Sequence, residues 1–246
     1  MTVKRIDLII IDIDDTFLYH RTVAIANRLF VKSLLGEKGE FYTTGEGIRK
    51  ILINPFKIRF NKKSLILAKT GLQLHLMNIY RQITKRSSEN LIRKWADTVV
   101  EIGVKEQDYK IPEKTIKKII YPNLFGIYKR LRKNNPLMKV LALSQHFKVG
   151  KDPIVNILGI NESESNEFAI NNKGIINDYK IKIKNKRDKL MLAKKTINKQ
   201  KAKSIGLIIQ DYDDLGLLEL DNIKLIVHSR KLRKYAKNIK CEKIMF

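Results

Sequence analysis

Residues 6–16 have the sequence IDLIIIDIDDT, and this stretch decides the expected fold. The continuous apolar run over Ile6–Ile13 predicts a strand that is buried on both faces, as strands of parallel sheets are. The strand ends among the carboxylates Asp12, Asp14 and Asp15. Carboxylates placed directly after a buried strand are costly unless a cation or hydrogen-bond donors lie beside them. The alternative is a solvated turn that caps the following helix.

The rest of the chain predicts an α/β fold, a Rossmann-like parallel sheet with an inserted all-helical segment. From about Thr22 to Val104 the apolar residues recur at helical spacing, and no alternating strand stands out. After Pro112 strands alternate with helices, which is typical of parallel sheets with right-handed crossovers. We therefore expect an α/β core domain over 1–16 and 111–246 and a helical cap domain over 17–110.

The elements expected after Pro112 follow from this alternation. Strands are predicted at Met138–Leu143, Ile205–Ile209 and Ile223–His228, with a hairpin of Phe168–Ile170 and Ile175–Lys184. Helices are predicted near Glu113–Lys133, Pro153–Leu158 and Asp188–Asn198, and from Asp214 and Lys231.

Polar residues follow several of these strands, and ligands of such sheets bind at the carboxyl ends of the strands. Ser144 ends the second strand, where a hydroxyl and backbone amides can hold a phosphate oxygen. A second acidic cluster, Asp211, Asp213 and Asp214, follows the fourth strand, and a Lys-rich helix precedes that strand. Converging carboxylates favour Mg²⁺, because hard oxygen ligands suit this cation.

In this order the motifs resemble those of the haloacid dehalogenase (HAD) superfamily of phosphohydrolases, over the whole chain. The family's DxDxT motif stands at Asp12–Thr16, and its second motif is Ser144. The lysine of its third motif best fits Lys186, with Lys189 as the rival. The segment SQHF…NILGI…NEFAINNKGII is similar to the phosphoserine-phosphatase-like branch, which carries a helical cap between the first two motifs.

The resemblance implies a two-step, Mg²⁺-dependent hydrolysis of a phosphomonoester. Asp12 would attack phosphorus and form an aspartyl-phosphate, and Asp14 would act as general acid and then general base. Ser144 and Lys186 would hold the phosphoryl oxygens.

The fourth motif departs from the family's GDxxxD pattern. Asp214 matches the second acid, but Gln210 stands at the first, where its carbonyl oxygen brings no charge to a metal. A shift of one residue would let Asp211 serve instead, and both alternatives stay open. The candidate magnesium ligands are therefore Asp12, Asp14, Gln210, Asp211 and Asp214.

The candidate substrate-binding residues are Thr16, Arg21 and Gln145. Phosphoserine phosphatases carry a glutamate nine residues after the nucleophile, and Arg21 stands there in this chain. A cation at that position disfavours an amino-group substrate and favours a second anionic group. The resemblance thus implies a small phosphorylated substrate, with phosphoserine a poor one.

Composition bears on partners and location. The chain of 246 residues has 50 basic and 25 acidic residues, a formal charge of +25 that attracts anions. The densest basic run, Lys180–Lys203, favours a solvated surface over nucleic-acid contact, because few aromatic residues are interleaved there. The rival function is nevertheless a catalytically weakened HAD-like protein that binds anions or nucleic acid through this Lys-rich surface.

A cytoplasmic protein without membrane contact is expected. The acidic residues near the start leave no uncharged stretch for a signal peptide, and no apolar run reaches the ~18 residues of a membrane span. The single cysteine, Cys241, excludes an internal disulfide and a thiolate metal site.

Overall fold

In the computed structural model, the described residues are 5–13, 16–18, 21–36, 58, 60–84, 89–150 and 152–246, with side chains 21–24, 75, 78, 79 and 81–84 outside the description. They form one seven-stranded sheet of order β4-β3-β2-β1-β5-β6-β7. The strands are β1 (Leu8–Asp12), β2 (Lys139–Lys148), β3 (Glu162–Ile170), β4 (Ile176–Lys180), β5 (Ile205–Ile209), β6 (Ile223–His228) and β7 (Glu242–Met245).

All neighbouring strands run parallel except the β3–β4 hairpin, which is antiparallel. The chain runs outward from β1 through β2 and β3, and later returns to place β5 on the other side of β1. The order of strands therefore reverses between β1 and β5, and a crevice forms outside their carboxyl ends. The predicted α/β class is confirmed.

Helices lie between most of the consecutive strands along the chain. The α-helices are α1 (Arg21–Leu35), α2 (Lys62–Thr84), α3 (Glu89–Glu101), α4 (Glu106–Tyr109), α5 (Glu113–Ile119), α6 (Pro122–Asn134), α7 (Pro153–Leu158), α8 (Lys186–Gln200) and α9 (Arg233–Ala236), and 3₁₀ helices lie at Tyr212–Glu219 and Arg230–Leu232. The helical nature predicted for the segment between the first two strands is thus found in α1 to α4. No helix in the described ranges is long and apolar enough to cross a membrane.

The central strand β1 is buried along its whole length because it has a packed layer on each face. Leu8 and Ile10 join the apolar cluster that includes Leu207, on the α8 side. Ile9 and Ile11 join the larger cluster on the opposite face. Alternation along the strand explains this division, and it places Asp12 on the same face as Ile10.

The helical segment packs directly on the sheet through aromatic side chains. The indole nitrogen of Trp95 in α3 donates to the Tyr109 hydroxyl at 3.2 Å. The Tyr109 ring in turn stacks on the His146 ring, with 5.6 Å between the ring centroids, and packs edge-on against the Phe168 ring, with 5.0 Å between the centroids. Residues of the proposed cap therefore share one buried cluster with the core, and the two-domain division stays a prediction.

The helix expected over Glu113–Lys133 is two helices, and this prediction was wrong. Pro122 disfavours helical backbone at Tyr121, whose φ and ψ are −69° and 112°. The interruption allows the Tyr121 amide to donate to the Phe17 carbonyl at 2.9 Å, and Ile120 forms a β-bridge with Leu18. This interruption ties the segment to the loop that follows Asp12.

The predicted pattern of strands was incomplete. Strand β3 begins at Glu162, before the predicted Phe168, and β4 ends at Lys180, before the predicted Lys184. The strand expected to end before Ser144 continues to Lys148, with a register shift between Ser144 and Phe147 relative to β3. The basic helix expected from Lys231 is short and is followed by the edge strand β7, which the sequence pattern did not predict.

Candidate active site

The carboxylate of Asp12 lies at the carboxyl end of the central strand and is only 6% exposed. Its Oδ2 accepts a hydrogen bond of 2.7 Å from the Thr16 hydroxyl. Its Oδ1 accepts one of 2.9 Å from the Lys189 ammonium. Both carboxylate oxygens of Asp12 are thus held in place by hydrogen bonds. Thr16 contacts Asp12 through its hydroxyl, and its predicted role in substrate binding stays a prediction.

Lys189 links the two acidic clusters. Its ammonium is buried and lies 2.6 Å from Oδ1 of Asp214 as well as 2.9 Å from Asp12. Burial by itself lowers the pKa of Lys189, but the charges of Asp12 and Asp214 and their hydrogen bonds outweigh burial, so the pKa is raised above 10.5. Lys189 therefore stays protonated, and its positive charge balances part of the negative charge of the two carboxylates.

Asp214 is completely buried and accepts hydrogen bonds from backbone as well as from Lys189. Its Oδ2 accepts from the Gln210 amide at 3.0 Å and the Asp211 amide at 3.1 Å. Together with Asp211 it forms a capping box at the start of the 3₁₀ helix Tyr212–Glu219. The loop after β5 is thereby fixed relative to Lys189 and Asp12.

The lysine that contacts Asp12 and Asp214 is Lys189, the rival to Lys186 for the third motif. Lys186 is the first residue of α8, with its side chain exposed. Lys189 belongs to the buried stripe that continues with Ala193 and Thr196. Helical side chains lean toward the N-terminus, so the Lys189 ammonium is directed back to the end of the sheet where Asp12 lies.

Gln210 and Asp211, the two alternatives for the first acid of the fourth motif, differ in their bonding. The carboxylate of Asp211 caps the 3₁₀ helix and accepts from the Tyr212 amide at 2.7 Å. The side-chain carbonyl oxygen of Gln210 is buried and accepts no hydrogen bond in the described structure. A buried oxygen without a donor suits a hard cation such as Mg²⁺, so Gln210 is the better metal candidate.

The described residues include no group of three or more His, Cys, Asp or Glu side chains arranged for a metal ion. A site would therefore combine Asp12 and Gln210 with further oxygen ligands. The prediction for Asp14 falls on a residue outside the described ranges, and the side chain of Arg21 lies outside them as well.

Ser144 is buried, and its hydroxyl accepts a hydrogen bond of 3.0 Å from the His146 amide. Leu143 pairs in register with Asp12, so alternation along β2 directs the next side chain to the other face of the sheet. There Ser144 lines a small cavity of about 20 Å³ together with Ser165. The structure thus does not bring the Ser144 hydroxyl to the face that carries Asp12 and Lys189.

Gln145 is hydrogen-bonded to Asn166, a residue that the sequence did not single out as functional. Its side-chain amide donates to the Lys184 carbonyl at 3.2 Å, and its backbone carbonyl accepts from Asn166 at 2.7 Å. Asn166 is fully buried and also bonds the amides of Lys182 and Ile183 at 2.8 and 2.9 Å and the Ile183 carbonyl at 3.3 Å. It therefore joins the β2 bulge to the segment that leads into α8. Asn166 lies in a run of polar residues within β3, and nothing in the sequence distinguishes it from its polar neighbours.

Comparison with solved structures identifies the fold. A phosphoserine phosphatase bound to substrate matches with a TM-score of 0.59 and 15% identity over 98% of this chain and 93% of the other. A phosphoserine phosphatase with a phospho-aspartyl intermediate analogue gives 0.58 and 14% over 98% and 94%. A phosphoserine phosphohydrolase-like protein from Francisella tularensis gives 0.57 and 13% over 98% and 94%. The chain therefore has the fold of the phosphoserine phosphatases.

No protein-family model matches the sequence, and no curated protein matches it significantly. The similarity is therefore one of structure, with the sequence widely diverged.

Proposed function

We propose that the chain is a Mg²⁺-dependent phosphohydrolase of the HAD type, which hydrolyses a phosphomonoester through an aspartyl-phosphate on Asp12. The observation that carries this proposal is the buried triad in which the Lys189 ammonium lies within ion-pair distance of both Asp12 and Asp214. It stands at the carboxyl end of the central strand, beside the crevice where ligands of such sheets bind.

The triad suits Asp12 for nucleophilic attack. A buried carboxylate without a partner would tend to be neutral. The raised pKa of Lys189 keeps a positive charge beside the Asp12 carboxylate, and this charge favours the carboxylate form over the protonated acid. Two of the three ammonium N–H groups of Lys189 donate to Asp12 and Asp214. The third has no acceptor among the described residues and could donate to a phosphoryl oxygen, the role expected of Lys186 from the sequence.

In the first step an Asp12 oxygen forms a bond to phosphorus as the bond from phosphorus to the alcohol oxygen breaks. Asp14 donates its proton to that leaving oxygen. In the second step Asp14 takes a proton from water, and the water oxygen displaces the Asp12 carboxylate from phosphorus to release inorganic phosphate. The Ser144 hydroxyl faces the opposite side of the sheet, so a phosphoryl contact at the end of β2 would come from backbone amides.

A bound Mg²⁺ would be held by Asp12, Gln210 and Asp14 and would reduce the repulsion between the phosphate and the carboxylates. Gln210 supplies a neutral oxygen, so the affinity for the cation is lower than with a carboxylate there. The Gln210→Asp variant is therefore expected to reach half-maximal activity at a lower Mg²⁺ concentration. Asp211→Asn, which alters the cap of the 3₁₀ helix, should leave this concentration unchanged.

The substrate we propose is small and carries a second anionic group, because Arg21 occupies the position where an amine-binding glutamate would stand. Phosphoserine is then a poor substrate, and Arg21→Glu should raise its turnover. Efficient hydrolysis of phosphoserine by the wild type would contradict this part of the proposal.

The decisive experiment measures hydrolysis of a generic aryl phosphate with and without Mg²⁺ by the wild type, Asp12→Asn and Lys186→Met. We expect metal-dependent turnover that Asp12→Asn abolishes and Lys186→Met retains. Trapping of a phosphorylated protein by the wild type, absent in Asp12→Asn, would support the covalent step. Turnover that survives in Asp12→Asn would overturn the assignment of the nucleophile.

A further inference from the structure

A groove of about 730 Å³ lies beyond the carboxyl ends of β6 and β7 and is lined almost entirely by cations. The lining cations are Arg230, Lys231, Arg233, Lys234, Lys237 and Lys243. All six side chains are exposed, and none forms an ion pair with a described carboxylate. No acidic residue lines the groove. Six uncompensated charges in one concave surface create a strong local attraction for anions.

The Lys-rich run Lys180–Lys203, which is the densest in the sequence, is less positive in the folded protein. Lys182 pairs with Glu164 and Glu167 at 3.6 and 3.0 Å. Lys199 pairs with Glu162 at 3.0 Å, and Lys189 is buried between carboxylates. Acidic residues of β3 thus neutralise part of the run, whereas the groove is left uncompensated.

The groove opens at the same edge of the sheet as the candidate active site. Ser229, which follows β6, donates from its hydroxyl to the Gln210 carbonyl at 2.7 Å. Since β6 is two strands from β1, the mouth of the groove lies on the order of 10 Å from the end of the central strand.

The lining identifies the chemistry of the ligand. Six cations exceed what one phosphate or carboxylate group needs, so the complementary ligand carries phosphates in series. Two of the cations are arginines, whose planar guanidinium groups bind phosphate oxygens in pairs. The lining includes no Phe, Tyr or Trp side chain on which the bases of a single strand could stack, so the fit is to the phosphates of a duplex, whose bases are already stacked on one another.

We propose that this groove binds the phosphate backbone of nucleic acid without regard to base sequence. The proposal concerns a surface separate from Asp12 and Lys189, and it holds whether or not these residues hydrolyse a phosphomonoester. Binding should weaken steeply with salt, because each neutralised phosphate releases counterions.

The test compares two triple variants of equal net charge by fluorescence anisotropy of a labelled DNA duplex over a range of salt concentrations. The groove variant carries Lys231→Gln, Lys234→Gln and Lys237→Gln. The control carries Lys180→Gln, Lys194→Gln and Lys195→Gln, which are exposed lysines of the Lys180–Lys203 run without ion pairs in the described structure.

In a plot of the logarithm of the association constant against the logarithm of salt concentration, we expect the negative slope of the groove variant to be smaller in magnitude by about 3. This change corresponds to a loss of affinity of a few hundredfold near 0.1 M salt. The control should retain the slope of the wild type. Circular dichroism establishes that both variants fold. An equal loss in both variants, or no binding by the wild type, would overturn the proposal.

Competition with other polyanions tests the class of ligand. DNA and RNA duplexes of one length should displace the labelled duplex from the wild type with similar affinity, because both present phosphodiesters. Polyglutamate or inorganic polyphosphate that competed as well as the duplexes would show a site for polyanions in general, and would overturn the assignment to nucleic acid.

Discussion

Replacing Lys189 by methionine tests the buried charge triad most directly. Methionine fills a similar volume but leaves the carboxylates of Asp12 and Asp214, which are 6% and 0% exposed, without their cation. Removing one partner of a buried ion pair costs about 3–5 kcal/mol, because the remaining charge has lost both water and partner. For a chain of this size that loss lowers Tm by roughly 6–20 °C.

The assay is urea denaturation followed by circular dichroism, with Lys186→Met as the matched control. Lys186 lies on the same helix, but its side chain is exposed, so its replacement should change the free energy of unfolding by less than about 0.5 kcal/mol. Equal losses in the two variants, or a loss below about 0.5 kcal/mol in Lys189→Met, would refute the reasoning.

The pH dependence gives an independent readout of the same triad. The raised pKa of Lys189 keeps its stabilising charge fully present below about pH 10, and this contribution is lost only as the pH rises through the raised value. The stability advantage of the wild type over Lys189→Met should therefore be constant between pH 7 and about 10 and should decrease at more alkaline pH. An advantage that disappears between pH 7 and 9 would contradict a raised pKa of Lys189.

Three further predictions concern packing, bracing and titration. Gly216→Ala places a methyl group against the Lys186 carbonyl oxygen and should cost about 1–3 kcal/mol in urea denaturation, whereas Gly126→Ala, in open space on α6, should stabilise by about 0.5–1 kcal/mol. Equal effects of the two would contradict this packing. Asn166→Ala leaves buried backbone groups unpaired and should cost about 2–4 kcal/mol, with faster hydrogen exchange at the amides that it accepts from; unchanged exchange would argue against its bracing role. Burial raises the pKa of Tyr128 to about 12, so its stabilising contribution is present below pH 10 and lost as the pH rises toward 12. Tyr128→Phe should remove one late phenolate step from the ultraviolet titration, and an unchanged titration would refute this assignment.

The fold followed from local patterns because these patterns report burial directly. The run IDLIIIDI has no polar position on either face except its acidic residues, and only a central parallel strand buries both faces. The strands Ile205–Ile209 and Ile223–His228 match their predicted bounds for the same reason. The edge strand β7 was not predicted because a four-residue strand that has no buried position gives a weak pattern.

The sequence alone thus determined the central strand of the sheet and Asp12 as the acid at its carboxyl end, because a buried strand that ends in carboxylates is unusual enough to identify. Only the tertiary structure decided which lysine contacts Asp12. Lys186 and Lys189 lie at different positions around the same helix, and only Lys189 is on its buried side. The tertiary structure likewise decided which basic residues form ion pairs with carboxylates. Acidic residues of β3, a strand remote in sequence from Lys199, neutralise part of the densest lysine run, whereas the cations after β6 meet no such partner among the described residues. Contacts between distant segments set both outcomes, and spacing along the chain does not encode them.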